Sequence, residues 1–335
     1  MKGVIVSMND LTDIASLIKE SRNILILPHL SADGDAIGSC LALYNGLIKI
    51  GIKAIVCTEE KIPATFNYLK GTDKVIVYDS LYFPIKVEDF DCAISLDSGD
   101  FERLGKRRTL FEKIKRTANI DHHRTNTLFA GLNYVDIKSS ATGEIIFDLL
   151  NLMDIRFDTE ISECIYNAII SDTGAFRFSN TSPRTHEIAA KLLSFGVDNA
   201  EISRKVFDTT SLEKIKLISI VASKLEIFAE GKIAIIEINN SDIEQSGASN
   251  EDSDGIVNIA RNLRGTEVGV LIKDKPEGEV KISLRSNYFV DVSKIATEFG
   301  GGGHMRAAGY SVYKPINEAK AEIVNRLEDE FKVNQ

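Results

Sequence analysis

Short apolar runs alternate with amphipathic stretches through the first half of the chain. Residues 24–27, 53–57, 74–78, 92–96, 118–120 and 132–135 read as strands. The runs at 24–27 and 92–96 are nearly continuous in apolar residues, the mark of strands covered on both faces. Ile37, Cys40, Leu41, Tyr44, Leu47 and Ile48 recur at helical spacing, and Gly51 stops that helix. Further helices are predicted at 141–153 and 159–170. Thr181-Ser182-Pro183 starts another, a hydroxyl cap followed by a first-turn proline, and Gly196 ends it. One more follows at about 211–224. This alternation predicts an α/β fold, with an N-terminal mainly parallel sheet and helices on both faces.

The second half has a different texture. Residues 225–228 and 233–238 flank Ala229-Glu230-Gly231-Lys232 as a hairpin would. The polar stretch 239–254 reads as a mobile loop leading into a helix at about 255–263. Strands at 267–273 and 279–285 bracket a turn at Lys275-Pro276-Glu277-Gly278. A helix at 291–298 runs into four glycines that read as a loop, and an amphipathic helix at 316–330 follows. The expected organisation is a larger α/β domain over 1–190, a helical connector over 191–224, and a smaller α/β domain over 225–335.

Composition narrows the partners. The 335 residues are enough for two domains. A net charge of -9 disfavours long duplex nucleic acid, which rewards broad basic surfaces, but leaves room for a small phosphorylated substrate in a local pocket. The four cysteines, Cys40, Cys57, Cys92 and Cys164, lie in apolar surroundings without a CxxC pair and read as buried thiols of a reducing compartment. The N-terminus lacks a leader's apolar core, and no apolar run approaches the ~20 residues a membrane helix needs. A cytoplasmic protein without membrane partners is expected.

Candidate chemistry gathers at predicted strand ends, where open α/β sheets bind ligands. Pro28-His29-Leu30-Ser31-Ala32-Asp33-Gly34-Asp35 places one histidine and two aspartates beyond the first strand. Asp97 ends the run 92–96, Asp121-His122-His123 ends 118–120, and Asp172 follows a predicted helix. An aspartate or histidine at any one of these positions is more often a cap or a core side chain. Together they make that reading weak, because only five histidines exist and only His186 lies outside the clusters and the glycine run. Oxygen and imidazole donors of this mix suit manganese, magnesium, iron, cobalt or zinc, and the lack of a cysteine argues against structural zinc. His186, in the first turns of a helix, reads as a capping or surface residue. Arg103, Lys106, Arg107 and Arg108 read as a solvated helix face, with a route for an acidic ligand as the alternative.

HLSADGDAIGS, LDSGD, DHH and SDTGAF resemble the motifs of the DHH phosphoesterase superfamily. SLRS, GGGGH and AAG resemble the associated DHHA1 domain. The two-domain layout is most similar to the nanoRNase and pAp-phosphatase branch. The resemblance implies two divalent ions, by family habit Mn2+, with Mg2+ or Co2+ as alternatives. His29 and Asp33 would hold one ion and Asp35, His122 and Asp172 the other, with Asp97 bridging both. Asp121 would orient the histidines after it, and His123 would face the substrate phosphate. A hydroxide bridging the ions would be the nucleophile.

Gly301, Gly302 and Gly303 would open backbone N–H groups to an anion, with His304 and Arg285 as further phosphate contacts. Arg261, Arg264, Ser286 and Asn287 are weaker candidates. The implied activities are release of nucleoside 5′-monophosphates from very short oligonucleotides and dephosphorylation of 3′-phosphoadenosine 5′-phosphate (pAp), in a cleft between the domains. A cyclic- or linear-dinucleotide phosphodiesterase is the alternative, and an inactive nucleotide-binding regulator a further one. Either a monomer or a homodimer is compatible.

Overall fold

The structure, a computed structural model, describes residues 9–78, 86–275 and 278–333. Contacts divide the chain into two units, one ending at Thr209 and the other beginning at Thr210, inside the span expected to be a connector. In chain order the first unit contains α1 Leu11–Lys19, β1 Asn23–Pro28, α2 Gly34–Lys49, β2 Lys53–Thr58, β3 Ile76–Val77, β4 Cys92–Leu96 and α3 Arg108–Lys113. It continues with β5 Thr117–Asp121, β6 Leu132–Val135, α4 Thr142–Leu152, α5 Thr159–Asp172, α6 Pro183–Ser194 and α7 Asn199–Ser203.

The sheet order is β3-β2-β1-β4-β5-β6 and every pairing is parallel. β1 shows why. Ile24 and Ile26 enter one core with Ile37 and Leu41 of α2, while Leu25 and Leu27 enter another with Leu104, Leu110 and Phe111. All four β1 side chains are fully buried. Each such burial stabilises by about 1.5–3 kcal/mol, so both faces of β1 are anchored. Strand order reverses between β1 and β4, and their register pairs Pro28 with Leu96. The residues just beyond both strands therefore emerge side by side at the switch point.

Helix packing fixes what lies above. A Cβ at Gly38 would come within 2.4 Å of the Cys164 carbonyl, so α2 presses directly on α5. α1, absent from the sequence reading, starts at an Asp10–Asp13 capping box and buries Ile14, Ala15, Leu17 and Ile18. Ser182 caps α6 as its hydroxyl suggested.

The second unit contains α8 Leu212–Ala222, β7 Glu226–Phe228, β8 Ile233–Ile238, α9 Asn240–Ser246, α10 Val257–Arg261, β9 Val268–Asp274 and β10 Glu279–Ser286. α11 Val292–Glu298, β11 Gly302–His304, β12 Ala307–Tyr313 and α12 Ile316–Val333 complete it. Its sheet runs β11-β12-β10-β9-β8-β7, antiparallel except for the β8–β9 pair. Helices α11 and α12 pack on one face, α8 and α10 on the other.

Two expectations are corrected here. The stretch 239–254 is not a mobile loop. Asn239 caps α9, Asp242 answers as the reciprocal cap, and Gly247 ends the helix at φ 72°. The polar composition hid an Asn-x-x-Asp start signal. Nor is the glycine run wholly a loop, since Gly302 and Gly303 belong to edge strand β11. Of the expected turn at 275–278, Pro276 and Glu277 lie outside the described residues.

Candidate metal centre and phosphate site

The residues predicted at four separate strand and helix ends converge in the first unit. His29 follows β1, and Asp33 caps α2, its carboxylate accepting from the N–H groups of Asp35 and Ala36 at 3.0 and 3.1 Å. Asp97 follows β4 with φ 56°, a left-handed backbone that costs a non-glycine residue about 1–3 kcal/mol and is kept where the surroundings over-determine it. Asp121 ends β5, with His122 and His123 beyond it, and Asp172 ends α5.

Asp97 lies between two groups. Its Oδ2 is 3.5 Å from His29 Nε2, which is 3.8 Å from Asp33. Its Oδ1 is 3.5 Å from His122 Nε2, which is 3.7 Å from Asp172 and 3.8 Å from Asp35. His29, Asp33 and Asp97 form one set able to hold a metal ion, and Asp35, His122 and Asp172 a second.

The tautomers favour this use. His29 Nδ1 lies 2.7 Å from the Leu30 carbonyl and His122 Nδ1 lies 3.1 Å from the Ser139 carbonyl. Each carbonyl accepts a hydrogen bond from Nδ1–H, which turns Nε2 toward the carboxylates, where it can ligate an ion held among them. His123 differs. Its Nδ1 sits 2.7 Å from Asp121 Oδ1, and Asn126 donates to the other Asp121 oxygen at 2.6 Å.

Electrostatics say the same thing. Five carboxylates in this space cannot all remain ionised without positive charge among them. Burial, then the charge of Asp97, pushes the pKa of Asp35 well above the usual range. Burial also raises Asp172 to about 6, with His122 opposing and Asp33 and Asp97 assisting. Burial works against protonation of His29 and His122. Hydrogen bonds and charges from Asp33 and Asp97 outweigh it at His29, and the charges of Asp172, Asp97 and Asp35 do so at His122, raising each to about 10. Burial likewise opposes the charge on Asp97, but His29 and His123 hold its pKa below the ordinary value. Buried oxygen and imidazole donors that need positive charge among them are a donor set that fits divalent ions.

Several supports were invisible in the sequence. The N–H groups of Thr142 and Gly143, at the start of α4, donate to the two Asp35 oxygens at 2.6 and 3.0 Å. The Thr142 hydroxyl donates to Asp97 at 3.0 Å, and the Ser39 hydroxyl to Asp35 at 2.9 Å. The Ser-Ser-Ala-Thr-Gly ahead of an apolar run marks a helix start, but nothing local names a partner more than a hundred residues away. Arg103 was also missed as a neighbour, and its Nη2 lies 3.0 Å from His29 Nδ1. The basic run is therefore no uniform solvated face. Arg107 is fully buried and donates to the Cys57 carbonyl, whereas Arg108 pairs with Glu102 at the surface. His186 stacks on Phe176, 4.9 Å between centroids, and takes no part in the clusters.

In the second unit the candidate phosphate residues share one edge. Ala307 pairs with Arg285 on one side and His304 on the other. Residues opposite one another in antiparallel strands point to the same face, so Arg285 and His304 flank a small alanine. The glycines divide by role. A Cβ on Gly301 would lie 2.2 Å from the Gly309 carbonyl, and one on Gly303 would lie 2.5 Å from that of Ala307. Gly302 is exposed with open space around it. Packing against β12 thus accounts for glycine at 301 and 303, whereas at Gly302, which pairs with Gly309, the sheet imposes no such steric need.

Known proteins match this arrangement closely. Residues 23–169 match the DHH family, N-terminal domain, and residues 230–333 match the DHHA1 domain. The chain is 33% identical over 314 residues to the bifunctional oligoribonuclease and PAP phosphatase NrnA of Thermus thermophilus, covering 90% of each chain. It is 24% identical to the Bacillus subtilis protein of the same name, over 90% of this chain and 93% of that one. The crystal structure of an exopolyphosphatase-related protein from Bacteroides fragilis superposes with a TM-score of 0.87 at 28% identity, covering 95% of both chains. Among the described residues no helix is long and apolar enough to cross a membrane. The chain belongs to the DHH family of phosphoesterases, with a DHHA1 domain in its second unit.

Proposed function

We infer that this enzyme releases nucleoside 5′-monophosphates from very short oligonucleotides and removes the 3′-phosphate of pAp. The observation that carries the reading is the position of Asp97, whose two oxygens face two separate imidazole–carboxylate sets. The names of the Thermus and Bacillus relatives supply the substrate class. His29, Asp33 and Asp97 would hold one divalent ion, and Asp35, His122, Asp172 and Asp97 a second, with manganese the expected metal. Bound there, such ions lower the pKa of water and neutralise charge on a phosphoryl group.

The chain's own side chains do the rest. Asp121 accepts a hydrogen bond from His123 Nδ1–H, which fixes the ring; against the pull of burial its charge also raises the His123 pKa, so Nε2–H is kept to donate to a phosphoryl oxygen. Thr142 and Gly143 hold Asp35 in place, so the carboxylates do not reorganise as charge develops. In the second unit Arg285, His304 and the Gly302 backbone bind phosphate, and an enzyme taking such small anions suits the cytoplasm. The test is turnover by the purified chain with manganese. Phosphate from pAp and mononucleotides from a labelled dinucleotide are expected. Hydrolysis of a cyclic dinucleotide in preference to both would replace this reading with the phosphodiesterase, and tight binding without turnover would replace it with a regulator.

A further inference from the structure

The segment between β10 and α11 is held by more bonds than a connection of its length requires. Glu267, 3% exposed, turns its carboxylate into the segment and accepts from the backbone N–H groups of Tyr288, Phe289 and Val290 at 2.8–3.2 Å. Asn287 donates from its side chain to the carbonyls of Arg261 and Thr266, both at 2.8 Å, and from its backbone to the Glu267 carbonyl. Arg306 closes the other side, donating to the carbonyls of Tyr288 and Val290. The Ser286 hydroxyl donates to Val290 at 2.7 Å. Phe289 leans edge-on against Phe331 of α12, and Val290 is fully buried.

One product of this ordering faces outward. Tyr288 is 76% exposed, one of the most exposed large hydrophobic side chains among the described residues. It stands three residues from Arg285, so their Cα atoms lie within about 11 Å of one another. The same segment abuts the β11–β12 turn. Val292 donates to the Met305 carbonyl and Ser286 to that of Arg306, one and two residues beyond His304.

We propose that Tyr288 is the platform on which a substrate nucleobase stacks while Arg285 and His304 bind its phosphate. This rests on the nucleotide reading above and names its base-recognition element. A tyrosine has few rotatable bonds, so an aromatic on a pre-ordered backbone loses little entropy when it engages a flat ring. Stacking is indifferent to base identity, because every base presents a π-face. It fits an enzyme that takes mononucleotide units of any sequence.

The test compares wild type, Tyr288→Ala and Tyr288→Phe as full chains. A stacked base contributes about 1–3 kcal/mol, so Tyr288→Ala should raise KM for a dinucleotide about 5- to 100-fold with kcat little changed. Tyr288→Phe keeps the ring and should stay within about threefold of wild type. A dinucleotide analogue abasic at both positions should show no difference among the three proteins. The same ratio should appear in the Kd for AMP, against none for ribose 5-phosphate, measured by equilibrium dialysis without turnover. If wild type binds AMP but hydrolyses neither pAp nor dinucleotide, the functional reading fails and the AMP ratio still decides this inference. An unchanged AMP Kd in Tyr288→Ala overturns it, as does an equal loss for base-bearing and abasic ligands. A lowered oligomeric mass in Tyr288→Ala with nucleotide affinity intact also overturns it, assigning the ring to contact between chains.

Discussion

The two units place their candidate functional residues in opposite kinds of ground. In the first, candidate ligands sit on the ends of fully parallel, doubly covered strands, and His29, Asp35, Asp97, Asp121 and His122 are all buried. Their charges are out of balance unless protons or cations join them. In the second, Arg285 and His304 are half-buried on strands near a sheet edge, and Gly302 is exposed. Bond-breaking calls for dry, rigid groups whose fields are not screened by water. Recognition of a small anion calls for donors that a ligand can reach. The comparison teaches that the first unit is built against its own electrostatics, whereas the second is not.

The sharpest break comes from removing one charge at the shared position. Asparagine tolerates the left-handed backbone that Asp97 adopts, so Asp97→Asn should keep the fold. It should lower kcat on either substrate by more than about 10³-fold, with an unchanged circular dichroism spectrum. Retained turnover in the metal-loaded variant would remove Asp97 from the centre of the account.

A second, smaller effect is a pH dependence confined to the first unit. In the metal-free chain His29 and His122 titrate near 10, above the 6.5 of an unfolded histidine. Their stabilisation is complete below about pH 6.5 and is lost as pH rises through 10, so the Tm of chelator-treated protein should fall across that interval. A divalent ion must displace the same protons. Manganese affinity should therefore rise at least about tenfold per pH unit between 6.5 and 8, with proton release visible by calorimetry in buffers of differing ionisation enthalpy. Arg285→Ala should leave both slopes unchanged. A pH-independent affinity would contradict the assignment of these imidazoles.

The smallest effects separate the glycines of the second unit. Gly302→Ala meets open space, so its Tm should hold, while the added methyl crowds the ligand's approach to the backbone and should raise KM a few-fold. Gly301→Ala forces a Cβ against the Gly309 carbonyl and should lower Tm by several degrees, about 1–3 kcal/mol of overpacking. If both variants behave alike, the division of roles along the run is wrong.

Much of this was legible in the sequence, and the reason is local. Strand ends are marked where apolar runs stop, and His29, Asp97 and Asp121 all sit at such stops. A mainly parallel sheet was readable because β1 and β4 are apolar at almost every position. What escaped was relational. Nothing near Thr142 reveals that its N–H group holds Asp35, and nothing near Arg103 reveals His29. The edge strands β11 and β12 escaped because a glycine run reads as a turn, although the need for glycine at 301 and 303 arises from a partner strand close by. Helix α9 escaped for a simpler reason, since polar composition outweighed a capping signal that was present.

The central claim is that Asp97 joins two cation sites. A manganese-soaked crystal measured at the metal absorption edge tests it directly. The account predicts two anomalous peaks about 3.5–4 Å apart, one beside His29 and Asp33 and the other beside His122, Asp35 and Asp172, each within bonding distance of an Asp97 oxygen. A single peak, or peaks remote from Asp97, would contradict it.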